Sequence, residues 1–183
     1  MSCTIVLIGF MGSGKTKLGQ YAAKALNMGF ADTDDMIEEL SGCSISEIFA
    51  KQGEAEFRRM ETQVLQECCA AGNMILATGG GIVKNPKNIE LIRSLGGVIV
   101  WLKATAEETY DRLKEDTTRP LLADVQGEDR RERIRTMMTQ RHDMYESAAD
   151  LVFDEEGIPL SELWDAFVEW ICNKILKKDE KNS

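Results

Sequence analysis

Apolar residues fall along this chain in two rhythms. Short unbroken runs, Ile5-Val-Leu-Ile8, Met74-Ile-Leu-Ala77, Val98-Ile-Val-Trp-Leu102 and Leu151-Val-Phe153, alternate with longer stretches whose apolar positions recur every three or four residues. The first rhythm belongs to strands buried on both faces, the second to helices packed along one face. Thr16 to Asn27 predicts a helix with Leu18, Tyr21, Ala22, Ala25 and Leu26 on one side. Gly29-Phe-Ala-Asp32 predicts a short second strand ending in acid, and Asp34 to Leu40 a brief helix stopped at Ser41-Gly42. Ser44-x-x-Glu47 is a capping box that opens a helix carrying Ile45, Ile48 and Phe49. Gly53 interrupts it, and Glu54 to Ala71 resumes as a longer helix. Asn85-Pro86 pairs an N-cap with proline at the first helical position, starting a helix to about Ser94. Thr105-x-x-Glu108 caps another that frays after Leu113. Residues 128 to 148 return to helical spacing. Pro159 is expected to start a last helix whose Leu160, Leu163, Trp164, Phe167, Val168 and Ile171 form a stripe meant for the core. Lys177 to Ser183 is expected to be a solvated tail.

Five strands alternating with helices predict an α/β fold of three layers, a parallel sheet covered on both faces with ligands at the carboxyl ends of the strands. The 183 residues suit one domain, with no internal repeat or linker. Hydrophobic content of 43% and charged content of 29% are globular values. A net charge of −9 argues against a nucleic-acid or anionic-membrane surface, so a polyanionic ligand needs a local basic cluster. No apolar run approaches the roughly 18 residues of a membrane span. The chain enters a strand at once, so no signal peptide is expected. Five cysteines without C-x-x-C spacing suit reduced thiols and a cytoplasmic setting.

The chemistry begins at Gly9-Phe-Met-Gly-Ser-Gly-Lys15-Thr16, a G-x-x-x-x-G-K-[ST] loop between the first strand and the first helix. Glycines let successive amides point inward at phosphate oxygens, and the helix N-terminus adds partial positive charge there. Gly12, Ser13, Gly14, Lys15 and Thr16 are therefore the candidate ATP-binding residues. Lys15 reaches the β- and γ-phosphates, and the Thr16 hydroxyl holds Mg²⁺. A glycine-rich turn with a surface lysine would not need four fixed positions with these flanks.

Asp32-Thr33-Asp34 places two carboxylates just past a strand end. A kinase built on this loop needs one acid near Mg²⁺ and often a second that accepts the proton of an attacking hydroxyl. Asp34 as N-cap of the next helix is an equal alternative on residue type. Lys114 to Gly127 has neither period and is expected to be a mobile lid carrying Arg119. Pro120 biases that arginine toward an extended backbone, and Leu121 and Leu122 offer an apolar anchor. Among many arginines, Arg58, Arg119 and Arg141 stand out as planar forks for a carboxylate or phosphate; Arg130, Arg131, Arg133 and Arg135 are expected to be solvated or paired with Glu128, Asp129 and Glu132.

Six stretches in order resemble the shikimate kinases. They are Gly9 to Lys15, Asp32-Thr-Asp34-Asp-Met-Ile37-Glu38, Gly53-Glu54-Ala-Glu-Phe57-Arg58-Arg-Met-Glu61, Gly79-Gly80-Gly81, Arg119-Pro-Leu-Leu122 and Arg141-His-Asp-Met-Tyr145-Glu146. The likeness runs from Ile5 to about Asp150. It implies a nucleoside-monophosphate-kinase-like fold, with a substrate-binding segment over about 32–61 and a lid over about 114–127. It also implies transfer of the ATP γ-phosphoryl to the 3-hydroxyl of shikimate, in the route to chorismate and the aromatic amino acids, by a monomeric cytoplasmic enzyme. By resemblance, Asp34 binds the shikimate hydroxyls and is the proposed base, and Asp32 is the Mg²⁺ partner. Arg58 and Arg141 clamp the carboxylate, Gly79 to Gly81 close over the ring, Arg119 reaches the transferring phosphate, and Arg112 stacks on adenine. His142-Asp143 departs from the family, and an acid two residues from Arg141 is a potential competitor for it.

Two other readings share some of these features. A gluconate-kinase-like enzyme has the loop and fold but need not carry paired arginines on these elements. A nucleotide-dependent switch would carry an N-K-x-D guanine motif, which is absent, and an inactive binding module would have lost Lys15 or Asp34.

Overall fold

The computed structural model describes residues 3–116, 119–122, 124–159 and 161–176. Among them lie β1 (Thr4–Ile8), α1 (Lys15–Leu26), β2 (Gly29–Asp32), α2 (Thr33–Ser41), α3 (Ile45–Lys51), α4 (Gly53–Ala71) and β3 (Met74–Ala77). α5 (Pro86–Ser94), β4 (Gly97–Lys103), α6 (Ala106–Leu113), α7 (Gly127–Ala148), β5 (Leu151–Asp154) and α8 (Leu163–Ile171) follow. The strands form one sheet in the order β2-β3-β1-β4-β5, and every neighbouring pair is parallel. Val6 lies opposite Leu76 on one side and Ile99 on the other, so β1 is the central strand. The chain leaves β1 for one half of the sheet and later returns to its other side at β4. The crevice that opens at such a reversal lies outside the carboxyl ends of the strands.

Alternation along β1 sends side chains to two cores. Val6 and Ile8 join Phe57, Val64 and Leu65 of α4, Ile92 of α5 and Ile134 and Tyr145 of α7. Ile5 and Leu7 join Leu18, Ala22 and Ala23 of α1 and Leu163, Phe167 and Ile171 of α8. This is the expected sheet between two helical layers, and the α8 stripe is core.

The capping boxes at Ser44–Glu47 and Thr105–Glu108 form as expected, and Asn85 caps α5 with Pro86 behind it. Gly53 takes φ 85°, which breaks α3 from α4 at the anticipated place. Two details differ from the sequence pattern. α1 packs through Leu18, Gly19, Ala22 and Ala23, whereas Tyr21 is exposed and donates its hydroxyl to Asp165 at 2.6 Å. Gly19 explains the shift, since a Cβ there would lie 2.8 Å from the Phe30 ring, so only glycine lets the helix approach the sheet on this face. α8 begins at Leu163, because Pro159 opens a single turn whose carbonyl accepts from the amides of Glu162 and Leu163. Residues 160 and 177–183 lie outside the described residues, and so do the expectations placed on them. All five cysteines are free thiols. No helix among the described residues is long and apolar enough to cross a membrane.

Candidate active site

β1 ends at Ile8 and the chain turns through Gly9, Gly12 and Gly14 at φ 148°, 78° and 85°. Glycine is required there twice over, because side chains rarely adopt that backbone and a Cβ on Gly9 would sit 2.6 Å from the Leu102 carbonyl oxygen. No side chain caps α1, which leaves the amides of its first turn open to an anion. Lys15 is buried; its Nζ donates to the carbonyls of Gly9 at 2.9 Å and Phe10 at 2.8 Å, and to Ser13 Oγ at 3.4 Å. Its ammonium is thus held over the loop. Burial lowers the Lys15 pKa to about 8, against the opposing pull of Asp34 and Asp32 and with a further push from Arg119.

Asp32 closes β2 and also caps α2, its Oδ1 accepting from the Asp34 amide at 3.0 Å. The cap expected of Asp34 is therefore supplied by Asp32, and the Asp34 carboxylate is left to face the crevice. The other Asp32 oxygen accepts from Thr16 Oγ1 at 2.7 Å, which ties the loop lysine's neighbour to the strand-end acid. Thr16 and Asp32 together present hard oxygen donors beside the phosphate loop, a donor set suited to Mg²⁺. Burial raises the Asp34 carboxyl to about 6; Asp32 pushes the same way, while Lys15 and Arg119 hold it down.

Next to this group lies a cleft of about 210 Å³ lined by Asp34, Arg58, Gly79, Gly80, Gly81, Arg119 and Arg141, with Phe49, Phe57 and Leu121 among its apolar walls. The three glycines follow β3 and form its floor, and each leaves room for a different group. A Cβ on Gly79 would meet Asp34 Oδ1 at 2.8 Å, one on Gly80 the Gly9 carbonyl at 3.3 Å, and one on Gly81 the Arg58 Nη2 at 3.1 Å. Arg58 comes from α4, and Arg141 from α7. Arg141 is buried, its guanidinium donates to the Gly80 carbonyl at 3.4 Å and lies over the Phe10 ring at 5.5 Å. Asp143 does not compete for Arg141. It is exposed beside His142, whose ring packs edge-on to Trp101, and residues two apart on a helix do not face each other.

Arg119 pairs with Asp116 at 3.1 Å, yet its charge reaches both Lys15 and Asp34. Within the segment expected to be a lid, Pro120–Leu122 forms a single 3₁₀ turn, Leu122 is buried and Leu121 is exposed. Residues 117, 118 and 123 lie outside the description. Arg112 lies against the phosphate loop, donating to the Gly12 carbonyl at 3.1 Å and to buried Glu155 at 2.8 Å. Several of the other arginines pair as expected, Arg131 with Glu128 and Arg135 with Glu132. Arg130 is different: it is buried and donates to the carbonyls of Lys114 and Asp116, bracing the start of the segment expected to be a lid.

Pattern reading does not single out three contributors. Glu61 is 1% exposed, and both its oxygens accept from Arg58 Nη1 at 3.0 Å. Its place three residues after Arg58 on a helix was the available signal. Tyr145 donates to the Gly80 carbonyl at 2.7 Å, and Glu155 receives Arg112. Both contacts bridge elements far apart in sequence, so neither partner can be read from spacing, although Tyr145 itself stands in the late motif.

The sequence profile described as Shikimate kinase matches residues 11–177. The shikimate kinase of Thermodesulfovibrio yellowstonii is 40% identical over 98% of this chain and 96% of the relative. That of Nostoc punctiforme is 40% identical over 92% and 91% of the two chains. Among solved structures, the shikimate kinase from Acinetobacter baumannii in complex with shikimate is 32% identical, with a TM-score of 0.80 over 94% of each chain. The shikimate kinase from Bacteroides thetaiotaomicron is 29% identical with a TM-score of 0.85, covering 94% of this chain and 98% of the other. A shared fold, a profile match over residues 11–177 and 40% identity along nearly the full chain converge on one conclusion: this chain belongs to the shikimate kinase family.

Proposed function

We propose that the chain transfers the γ-phosphoryl group of ATP to the 3-hydroxyl of shikimate, giving shikimate 3-phosphate in the shikimate pathway. The observation that carries this reading is the cleft itself. One acid, Asp34, faces a pair of arginines, Arg58 and Arg141, across a glycine floor, directly beside a phosphate-binding loop. A small acceptor with a carboxylate at one end and hydroxyls at the other fits that polarity. A phosphate acceptor lacking the carboxylate would make no use of the positive charge that Arg58 and Arg141 bring to the cleft.

The amides of Gly12, Ser13 and Gly14 and the Lys15 ammonium receive the β- and γ-phosphates. Thr16 and Asp32 hold Mg²⁺, which when bound neutralises phosphate charge. Arg58 and Arg141 grip the carboxylate, and Asp34 accepts hydrogen bonds from the ring hydroxyls. That contact fixes the 3-hydroxyl in line with the γ-phosphorus and gives its proton an acceptor with a pKa of about 6, near working pH. Gly79, Gly80 and Gly81 let the ring lie flat on the floor. Arg119 meets the charge of the transferring group, and the 114–127 segment closes over the pair of substrates to keep water out. Arg112 lies beside the nucleotide's base. The 1–183 chain acts as one kinase domain and a cytoplasmic monomer on two small molecules, without nucleic acid or membrane, consistent with its charge of −9.

A coupled ADP-release assay with ATP, Mg²⁺ and a panel of acceptors tests this. Turnover should require shikimate. Equal turnover with gluconate, or release of ADP that no acceptor stimulates, would overturn it.

A further inference from the structure

Behind the cleft wall lies Asn88, a buried polar side chain that does not itself line the cleft but meets Glu61, which does. Asn88, in the first turn of α5, is 0% exposed. Its Nδ2 donates to Glu61 Oε2 at 3.3 Å, while its Oδ1 accepts from Thr62 Oγ1 at 2.7 Å and Asn85 Nδ2 at 3.3 Å. The orientation of the amide is forced. Reversed, it would set its carbonyl against the Glu61 carboxylate and its NH₂ against another NH₂.

Burying this amide costs free energy that leucine of similar size would not. What the amide meets is a carboxylate at the edge of the cleft that is only 1% exposed. Arg58 donates to Glu61 from one direction and Asn88 from the other, and burial alone would push the Glu61 carboxyl upward. Arg58 lies in turn against Gly81, and Asn85 caps the helix that follows the glycine floor. The amide therefore joins α4, α5 and the floor in one register.

We propose that Asn88 is a positioning residue for the substrate clamp: its amide fixes Glu61, and through Glu61 the Arg58 guanidinium, in the orientation that meets the substrate carboxylate. The proposal rests on the reading of Arg58 as a carboxylate-binding group.

Asn88→Asp keeps the shape and the acceptor toward Thr62 but reverses the polarity toward Glu61. The KM for shikimate should rise on the order of tenfold, as for a lost hydrogen bond to a charged group. Turnover should stay within about threefold and the KM for ATP should be unchanged, because the phosphate side is untouched. Thr62→Val, which frees the amide carbonyl without emptying the site, should shift the same constant in the same direction, and it carries the test if Asn88→Asp does not fold. In a Glu61→Gln background either change should add little, since all act through one contact. An ordinary shikimate KM in the folded variants would overturn the proposal. So would a matched loss of turnover and of affinity for both substrates, the mark of a merely structural role. Arg58→Ala separates the layers. An ordinary shikimate KM in that variant removes the clamp and this proposal together, whereas a raised one beside ordinary values in the other two removes only the role of Asn88.

Discussion

At the scale of single residues, Asp34 carries opposing demands. Its folded pKa of about 6 lies above the ordinary 3.8, so the folded state binds a proton more readily than the unfolded chain does. The ionised form is therefore a burden that appears as pH rises from about 4 to 6 and is fully present above, worth roughly 3 kcal/mol at most. Asp34→Asn should raise the melting temperature by several degrees at pH 8 and leave it unchanged near pH 3.5. The same change should lower turnover by about 10²–10⁴. Calorimetry at the two pH values together with kinetics checks both halves; a variant that loses activity and stability alike would contradict the account. For the wild type, kcat/KM should rise with pH through about 6 as Asp34 ionises and fall through about 8 as Lys15 loses its proton. The acidic limb should vanish in Asp34→Asn. Gly79 supplies a second residue-scale expectation. A Cβ there would lie 2.8 Å from Asp34 Oδ1, the end of a side chain rather than backbone. Gly79→Ala should therefore fold normally and displace the acid, reducing kcat by at least about tenfold. A fully active Gly79→Ala enzyme would show that Asp34 tolerates displacement.

At the scale of elements, the cleft exists because two helices deliver arginines to one glycine floor. α4 brings Arg58 against Gly81, and α7 brings Arg141 to the Gly80 carbonyl, while Tyr145 one turn later pins the same carbonyl. Removing one partner of a desolvated charge pair typically costs about 2–5 kcal/mol. Arg58→Ala and Arg141→Ala should each weaken shikimate binding by tens to thousands of fold and leave nucleotide binding unaltered. Because both serve one carboxylate, the double variant should be less than additive. Calorimetric titration of the four proteins with shikimate measures this, and full additivity would mean two separate binding functions.

At the scale of the whole molecule, the two cores divide the work. The core under α4, α5 and α7 abuts the cleft, whereas the core under α1 and α8 packs the far face of the sheet. Phe167 is fully buried there, edge-on to Phe153 at 4.9 Å. Phe167→Ala should cost about 3–5 kcal/mol, a large share of a domain's stability. Kinetic constants measured well below the lowered melting point should nonetheless stay near wild type. A changed KM for either substrate at that temperature would show that the far core shapes the site.

Much of this was legible locally, for a physical reason in each case. The phosphate loop is a contiguous backbone device, so its spacing alone specifies it, and the capping boxes and the break at Gly53 are local backbone chemistry. Apolar runs bounded by glycine and acid announced the parallel sheet, because strands buried on both faces have no polar side to disguise them. Arg58, Arg119 and Arg141 stand out from the other seven arginines as candidate forks, but their roles come from the family motifs, since residue type alone does not assign them. What only the tertiary structure decided depends on contacts between distant segments. That Asp32 rather than Asp34 caps α2 follows from the extended backbone Asp32 keeps in register with Ala77 of β3, and it leaves Asp34 for the crevice. That α1 turns Tyr21 outward follows from the close approach that Gly19 permits against Phe30. Asn88 holds Glu61 because α5 packs beside α4 on the same face of the sheet, with β3 and the glycine floor between them in sequence. Burial, and with it the pKa shifts of Lys15 and Asp34, comes into existence only when those segments close on one another.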